Sequence, residues 1–163
     1  MIRSRDLIGK PLVLIASGEI IGKVKDVLVD PDRFEIAALV LPGKLFSKVA
    51  MVLPRNAVQV FGRDVILIKG NEAMPRDDSL DRVASLIAVS GQMKGRQVAT
   101  EKGVRVGILN DVWVDENGKV VSYDLAKVFV TGPIAESKQI PLGATRSIGR
   151  DLIIVDSGAI GVP

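Results

Sequence analysis

The feature that most constrains the fold of this chain is an internal duplication within its 163 residues. The copies match best at their ends, where residues 62–68 (GRDVILI) recur 87 positions later as residues 149–155 (GRDLIIV). Nearer the start of each copy, matching residues are 85 positions apart. Loops absorb such changes of length because paired strands cannot. We therefore expect a loop of different length between residues 41 and 53, or in the matching segment from residue 125 to residue 140.

Each copy consists of short apolar runs separated by residues that favour turns. In the first copy, for example, Pro31 and Asp32 precede the apolar run at residues 36–41. Several short strands with a turn between each favour a small barrel over alternating strands and helices. We predict an all-β protein made of two small barrels, residues 1–70 and residues 92–163, the second with a short tail.

The segment between the copies, residues 71–91, differs from them in composition and is predicted to be a linker. Residues 75–79 (PRDDS) are typical of a helix start. Leu80, Val83 and Ile87 then follow at the i, i+3 and i+7 positions, which lie on one face of a helix. The linker is therefore predicted to contain one short amphipathic helix, with its apolar stripe in the cleft between the barrels.

The chain contains no histidine and no cysteine. Imidazole and thiolate are thus excluded as general bases, nucleophiles and zinc ligands. Any catalysis would depend on carboxylates, lysines, hydroxyls or the single tyrosine. We expect no enzyme, no catalytic residue, no cofactor and no metal site.

The net charge of +3 is small, and its basic excess lies mainly in the first copy. It comes from separate residues such as Lys10, Lys23, Lys25 and Lys44, which form no basic stripe of the kind that binds nucleic acids. Residues 1–5 lack the apolar core of a signal peptide. Apolar runs are far shorter than the ~20 residues of a membrane helix. The expected location is cytoplasmic.

Several segments carry a resemblance to a known family. They comprise residues 7–10 (LIGK), 18–27 (GEIIGKVKDV), 95–100 (GRQVAT), 111–112 (DV), 115–120 (DENGKV) and 140–144 (IPLGA). In both copies these segments resemble the PRC-barrel domain. The first copy departs from the pattern at Phe34 and Glu35, where the second has Gly118 and Lys119 and the family often has a glycine-containing turn.

The resemblance implies two SH3-like barrels of the PRC type. The family includes the cytoplasmic domain of the photosynthetic reaction-centre H subunit and the C-terminal domain of a ribosome maturation factor. The leading expectation is a non-catalytic adaptor with a protein partner. The alternatives are an RNA or ribosome-assembly factor and a peripheral component of a photosynthetic or respiratory membrane complex. A homo-oligomer is left open.

One group of candidate residues recurs in both copies. A carboxylate between apolar neighbours needs hydrogen-bond donors, so Asp26 and Asp111 are interpreted as structural acceptors rather than as catalytic or proton-relay groups. The carboxylates after the same strand are interpreted as turn caps because they lack the spacing of a calcium loop. The structural group is Asp26, Asp30, Asp111, Asp115, Gly22 and Gly107.

A second group of candidates is apolar and differs between the copies. Trp113 replaces Leu28 and Tyr123 replaces Ala38, and with Phe129 they form either a partner-binding platform or ordinary core packing. The variable loops of both copies, residues 45–51 and 128–134, are unusually apolar, so they mark either a protein contact or simple burial. The candidate partner-binding residues are Leu45, Phe46, Val49, Trp113, Tyr123 and Phe129.

Overall fold

The structure is a computed structural model that describes residues 1–42, 51–69, 87–88 and 93–163. We call residues 1–70 repeat one and residues 92–163 repeat two. The strands are β1 (Ile2–Arg3), β2 (Pro11–Leu14), β3 (Ile20–Lys23), β4 (Asp26–Asp30), β5 (Glu35–Leu41), β6 (Met51–Pro54), β7 (Val58–Phe61), β8 (Ile66–Ile68), β9 (Ile87–Ala88), β10 (Gln97–Thr100), β11 (Arg105–Val114), β12 (Val120–Val128), β13 (Gln139–Pro141), β14 (Thr145–Ile148) and β15 (Leu152–Val155). The described helix is α1 (Pro133–Ser137), and short 3-10 turns span Ser4–Leu7, Arg55–Ala57 and Leu142–Ala144.

The strands of repeat two form one sheet in the order β13-β12-β11-β10-β15-β14. Its pairs are antiparallel apart from β10 and β15, which run parallel. Its longest strands are β11 and β12, which pair with each other. Tyr123 and Leu125 of β12 belong to the buried core, and the neighbouring Ser122 and Asp124 are buried as well.

Repeat one uses the same strand pairings in two four-stranded sheets, β3-β2-β8-β7 and β6-β5-β4-β9. Strand β2 runs parallel to β8, as β10 runs parallel to β15. The single strand β11 of repeat two corresponds to β3 and β4, which are separated by Val24 and Lys25. The prediction of an all-β protein with two tandem barrels is confirmed.

The first strand of the chain belongs to the second barrel. In β1, Ile2 lies opposite Val114 and Arg3 lies opposite Trp113, both in β11 of repeat two. The N-terminal segment therefore crosses to the other barrel before the chain enters its own.

The strand that leads into repeat two makes the reciprocal crossing. In β9, Ile87 lies opposite Val29 and Ala88 lies opposite Leu28, both in β4 of repeat one. All four positions are 85 residues from their counterparts in the β1–β11 pair, so the two crossings are equivalent. The barrels thus exchange leading strands around a pseudo-twofold axis.

The axis passes through a second contact between the barrels. The N–H of Ile36 donates to the carbonyl of Gly118 at 2.7 Å, and the N–H of Val120 donates to the carbonyl of Phe34 at 2.9 Å. Between these bonds, Glu35 and Lys119 form an antiparallel bridge. The starts of β5 and β12 are therefore paired across the interface.

The turns at this interface explain the departure of repeat one from the family pattern. Gly118 has φ = +80° and Phe34 has φ = +54°. Glycine adopts such a backbone without a steric penalty, whereas phenylalanine adopts it only with one. Phe34 therefore occupies the same kind of left-handed position as Gly118.

The buried residues of both repeats form one hydrophobic cluster. Leu39 of β5 lies opposite Val27, and Tyr123 of β12 lies opposite Val112 in the matching place. All four side chains are at most 1% exposed. Because the cluster spans the interface, each barrel shields apolar surface of the other.

The segment after β12 is where the copies were expected to differ. It contains α1, which begins after Gly132 (φ = +100°) with Pro133 in its first turn and ends at Lys138 in a left-handed conformation. Proline is favoured in the first turn because its missing N–H would be unpaired there. The matching segment of repeat one, residues 43–50, lies outside the described residues.

The predicted linker helix also lies outside the described residues, except at its last apolar position. Ile87 was expected on the apolar stripe of that helix, and this assignment is wrong because Ile87 lies in β9. Its spacing from Leu80 and Val83 suits a helix, but pairing with β4 fixes it in an extended conformation.

Candidate protein-interaction site

Phe129 is the most exposed large apolar side chain of repeat two. It follows β12, 47% of it is exposed, and its N–H donates to the carbonyl of Val106 at 2.8 Å. This bond holds Phe129 beside the start of β11, where Arg105 is exposed. The guanidinium carbon of Arg105 lies 4.4 Å from the centre of the Phe129 ring. A cation–π contact of this kind contributes about 0.5–1 kcal/mol at an exposed site.

The Phe129–Arg105 pair offers two kinds of contact to a partner. The ring provides apolar surface, and the guanidinium provides a charged fork of donors that suits a carboxylate. The stacking also limits the freedom of both side chains, so less entropy is lost when a partner orders them.

The positions of repeat one that correspond to the Arg105 hairpin are also exposed, and they carry apolar side chains. Ile20 stands 85 positions before Arg105, and it is 63% exposed at the start of β3. Ile15, at the other side of the same hairpin, is 52% exposed. The predicted partner-binding residues of repeat one, namely Leu45, Phe46 and Val49, lie outside the described residues.

Trp113 lies in a polar cluster at the β1–β11 crossing. The guanidinium carbon of Arg3 lies 4.6 Å from the centre of the half-buried Trp113 ring. Arg3 Nε also donates to Asp124 Oδ2 at 3.1 Å, and Asn110 Nδ2 donates to the same oxygen at 2.7 Å. The buried Nε1–H of Trp113 has no hydrogen-bond partner among the described residues. The ring thus packs between the repeats while keeping part of its surface exposed.

Tyr123 does not form part of a binding surface, and its assignment as a partner-binding residue is wrong. Only 1% of it is exposed, and its hydroxyl forms a 2.8 Å hydrogen bond with Thr145 Oγ1. Burial raises the pKa of Tyr123 to about 12, and the hydrogen bond acts in the opposite direction.

The alignment of Tyr123 with Ala38 is also wrong. Ala38 lies opposite Leu28, and the residue opposite Trp113 is Ser122. Five residues separate the paired Val114 and Val120, whereas six separate the paired Val29 and Ile36, and this one-residue shift places Tyr123 at the position of Leu39 in the core.

Asp111 is fully buried and accepts several hydrogen bonds from the N-terminal crossing. Its oxygens accept from the hydroxyl of Ser4, from the N–H of Arg5 at 3.0 Å and from the N–H of Val112 at 2.7 Å. Arg5 Nε lies 3.4 Å from Oδ2. These donors compensate the loss of hydration, and they tie the 3-10 turn at Ser4–Leu7 to repeat two.

Asp26, Asp30 and Asp115 accept hydrogen bonds from the backbone close to them. Asp26 Oδ1 accepts from the N–H of Val27 at 2.8 Å. Asp30 Oδ1 accepts from the N–H groups of residues 32 and 33 at 2.8 and 3.3 Å. Asp115 Oδ1 accepts from those of residues 117 and 119 at 2.9 and 3.0 Å. Aspartate often stabilises turns in this way.

Gly107 and Gly22 both lie against neighbouring groups. A Cβ at Gly107 would stand 2.3 Å from the carbonyl oxygen of Lys127, in the partner strand. A Cβ at Gly22 would stand 3.0 Å from the end of the Leu41 side chain. The close approach of β11 and β12 therefore requires a glycine at position 107.

The separate lysines of repeat one differ in their surroundings. Lys10 Nζ donates to the carbonyl of Gly62 at 3.0 Å, and partial burial lowers its pKa. Lys23 and Lys25 are exposed, whereas Lys44 lies outside the described residues.

The described part of the chain shows neither a metal-binding cluster nor a membrane-spanning helix. Its side chains contain no cluster of three or more carboxylates, histidines or cysteines that could hold a metal ion. None of its helices is long and apolar enough to cross a membrane.

Sequence reasoning missed Arg105, Arg3 and Asp124. Arg105 stands in the hairpin after Gly103, where a charged residue is usually just solvated. Its contact with Phe129 follows from the pairing of two strands whose contacting residues are 24 positions apart. The contacts of Arg3 could not be predicted, because they depend on the crossing strand β1. A strand of two residues gives no sequence signal.

Together these features define a protein of two tandem small barrels with an exposed pair formed by an aromatic ring and an arginine. Among the described residues, no group of side chains has been found that is arranged for catalysis. A family model described as the PRC-barrel domain matches residues 1–74 and, separately, residues 90–160. Because these matches cover most of the chain in two copies, the chain belongs to the PRC-barrel family. No curated protein matches the sequence.

Proposed function

We propose that this chain is a non-catalytic adaptor that binds another protein through the corner of repeat two formed by Phe129 and Arg105. The exposed ring stacked with a guanidinium is the observation that carries the proposal. Aromatic residues and arginine are enriched at protein interfaces and contribute strongly to binding energy. Family membership also favours a binding module over an enzyme.

A protein partner accounts for this corner better than RNA does. Platforms for single-stranded RNA combine several stacking aromatics with a basic groove. Among the large apolar side chains exposed in the described residues, Phe129 is the one aromatic. The net charge of +3 is also too small to indicate strong attraction to a polyanion.

A site-specific photocrosslink tests the proposal in cells that contain the natural partner. Phe129 is replaced by p-benzoylphenylalanine in the full chain, and the cells are irradiated. We expect a discrete adduct that protease digests and nuclease leaves intact. An additional Arg105→Ala substitution should reduce its yield.

The matched control carries the same photoreactive residue at position 121. Val121 is 39% exposed and lies near the other end of β12, so it samples a different part of the surface. Equal adducts at both positions, or none at position 129, would refute the proposal. A nuclease-sensitive adduct would support the RNA alternative instead, and one confined to the membrane fraction would support the membrane-complex alternative.

A further inference from the structure

The barrels of this chain meet as the subunits of a symmetric dimer do. In an isologous interface, a contact from residue i of one subunit to residue j of the other occurs twice, with the roles reversed. The β1–β11 and β9–β4 crossings are such a pair, because their matching residues are all 85 positions apart. The two hydrogen bonds on either side of Glu35 and Lys119 are a second pair.

Other contacts add specificity to the same interface. Arg55 Nη1 of repeat one donates to the carbonyl of Asn117 at 2.8 Å. The N–H of Phe61 donates to the carbonyl of Glu116 at 3.2 Å, and the Phe61 ring packs over Gly118. Buried Asp111 receives its donors from Ser4 and Arg5 of the opposite repeat, as described above.

Each repeat therefore lacks a strand that the other repeat supplies. A barrel alone would leave one edge of β4 or of β11 without the hydrogen bonds that β9 or β1 now provides, and unpaired edges attract other strands. It would also expose part of the shared core.

We infer that this interface is a self-recognition surface whose partner is the complementary repeat, and that the repeats bind each other without the linker. The linker raises the local concentration of one repeat around the other. The contacts between the barrels provide the affinity and the register.

Cleavage of the folded full chain tests the inference. A protease recognition sequence is inserted between Asp78 and Ser79, so each half keeps its leading strand after cutting. We expect the cut protein to elute as one species at micromolar concentration and to unfold in a single transition. When two differently tagged cut proteins are denatured together and refolded, their halves should be found in mixed pairs.

A pair of glycine variants separates the interface from general instability. Gly118→Ala places a Cβ 2.6 Å from the Phe61 ring across the interface. Gly103→Ala imposes a similar backbone strain, since both glycines have φ near +80°, but no described atom lies within 4 Å of its Cβ. In the cut protein, Gly118→Ala should raise the dissociation constant of the halves about tenfold more than Gly103→Ala, equivalent to ~1.4 kcal/mol.

The outcomes are distinct. Separation of the halves into two folded monomers at micromolar concentration would overturn the inference. Equal effects of the two glycine variants would also overturn it, because the affinity would then not depend on this interface. Partial recovery of affinity by Phe61→Leu in the Gly118→Ala background would support it directly.

Discussion

Glu35 and Lys119 lie opposite each other on the pseudo-twofold axis, and each is the counterpart of the other in its own repeat. A residue on such an axis faces its own image, so identical repeats would place two like charges together. Here the two copies carry opposite charges. Residues directly opposite in an antiparallel pair have Cβ atoms about 5 Å apart, where opposite charges stabilise and like charges destabilise.

Reversal of the charge at position 119 should therefore weaken the protein. Lys119→Glu places a second carboxylate opposite Glu35, and we expect it to lower the free energy of unfolding by about 0.5–1 kcal/mol. Lys119→Gln removes the attraction without adding repulsion and should lie between the wild type and the glutamate variant. Urea denaturation at low and high salt measures the effect, which should shrink as salt screens the charges. A penalty that does not change with salt would contradict the electrostatic explanation.

Removal of the buried carboxylate of Asp111 should be costly. Asp111→Ala leaves the N–H groups of Arg5 and Val112 without their acceptor in a buried site. We expect a loss of about 3 kcal/mol in the free energy of unfolding. Asp32→Ala, at an exposed position, is the control and should change stability by less than about 0.5 kcal/mol. Similar effects of the two substitutions would show that the N-terminal crossing adds little stability.

Alkaline pH should destabilise the fold through Tyr123. Its pKa is about 12 in the folded chain against an ordinary value of 10.0. The unfolded chain therefore loses the phenol proton first, and stability falls between pH 10 and pH 12 by up to about 2–3 kcal/mol. Because Tyr123 is the single tyrosine, tyrosinate absorbance follows this one group.

Tyr123→Phe provides the control for that experiment. The variant should lose about 1 kcal/mol near neutral pH with the hydrogen bond to Thr145, and it should show a weaker decline above pH 10. A midpoint of tyrosinate absorbance close to 10 in the folded protein would disprove the burial effect.

The close approach of β11 and β12 should make Gly107 sensitive to any side chain. The Cβ in Gly107→Ala would meet the carbonyl oxygen of Lys127, which is backbone and cannot rotate away. We expect a loss of about 2–3 kcal/mol, within the range for overpacking. Gly143→Ala has no described atom within 4 Å of its Cβ and should be nearly neutral by comparison. Thermal unfolding of the two variants gives the answer, and equal melting temperatures would contradict this account of the strand contact.

The sequence predicted those features that depend on local pattern. The duplicated turns and apolar runs led to the prediction of two barrels. The change in spacing between the copies located the segment that contains α1. The crossing of Ile2 and Arg3 could not be predicted in this way, because two residues carry no periodicity and their partner strand begins about 100 residues later.

The candidate site was predicted in part. Phe129 was identified as a candidate partner-binding residue, but a residue list does not reveal whether an aromatic is buried. Tyr123 shows the same limit, since a one-residue difference between two turns decided which face of β12 it occupies. Arg105 was missed because its role depends on which strand lies beside it.

The exchange of leading strands also constrains how this gene can evolve. A substitution in β1 is selected by its fit to repeat two, and a substitution in β9 by its fit to repeat one. Neither copy can therefore drift, be lost or be transferred to another gene without harm to the other. The two copies therefore form one unit of selection, whereas positions far from the axis, such as Phe129, are free of this constraint.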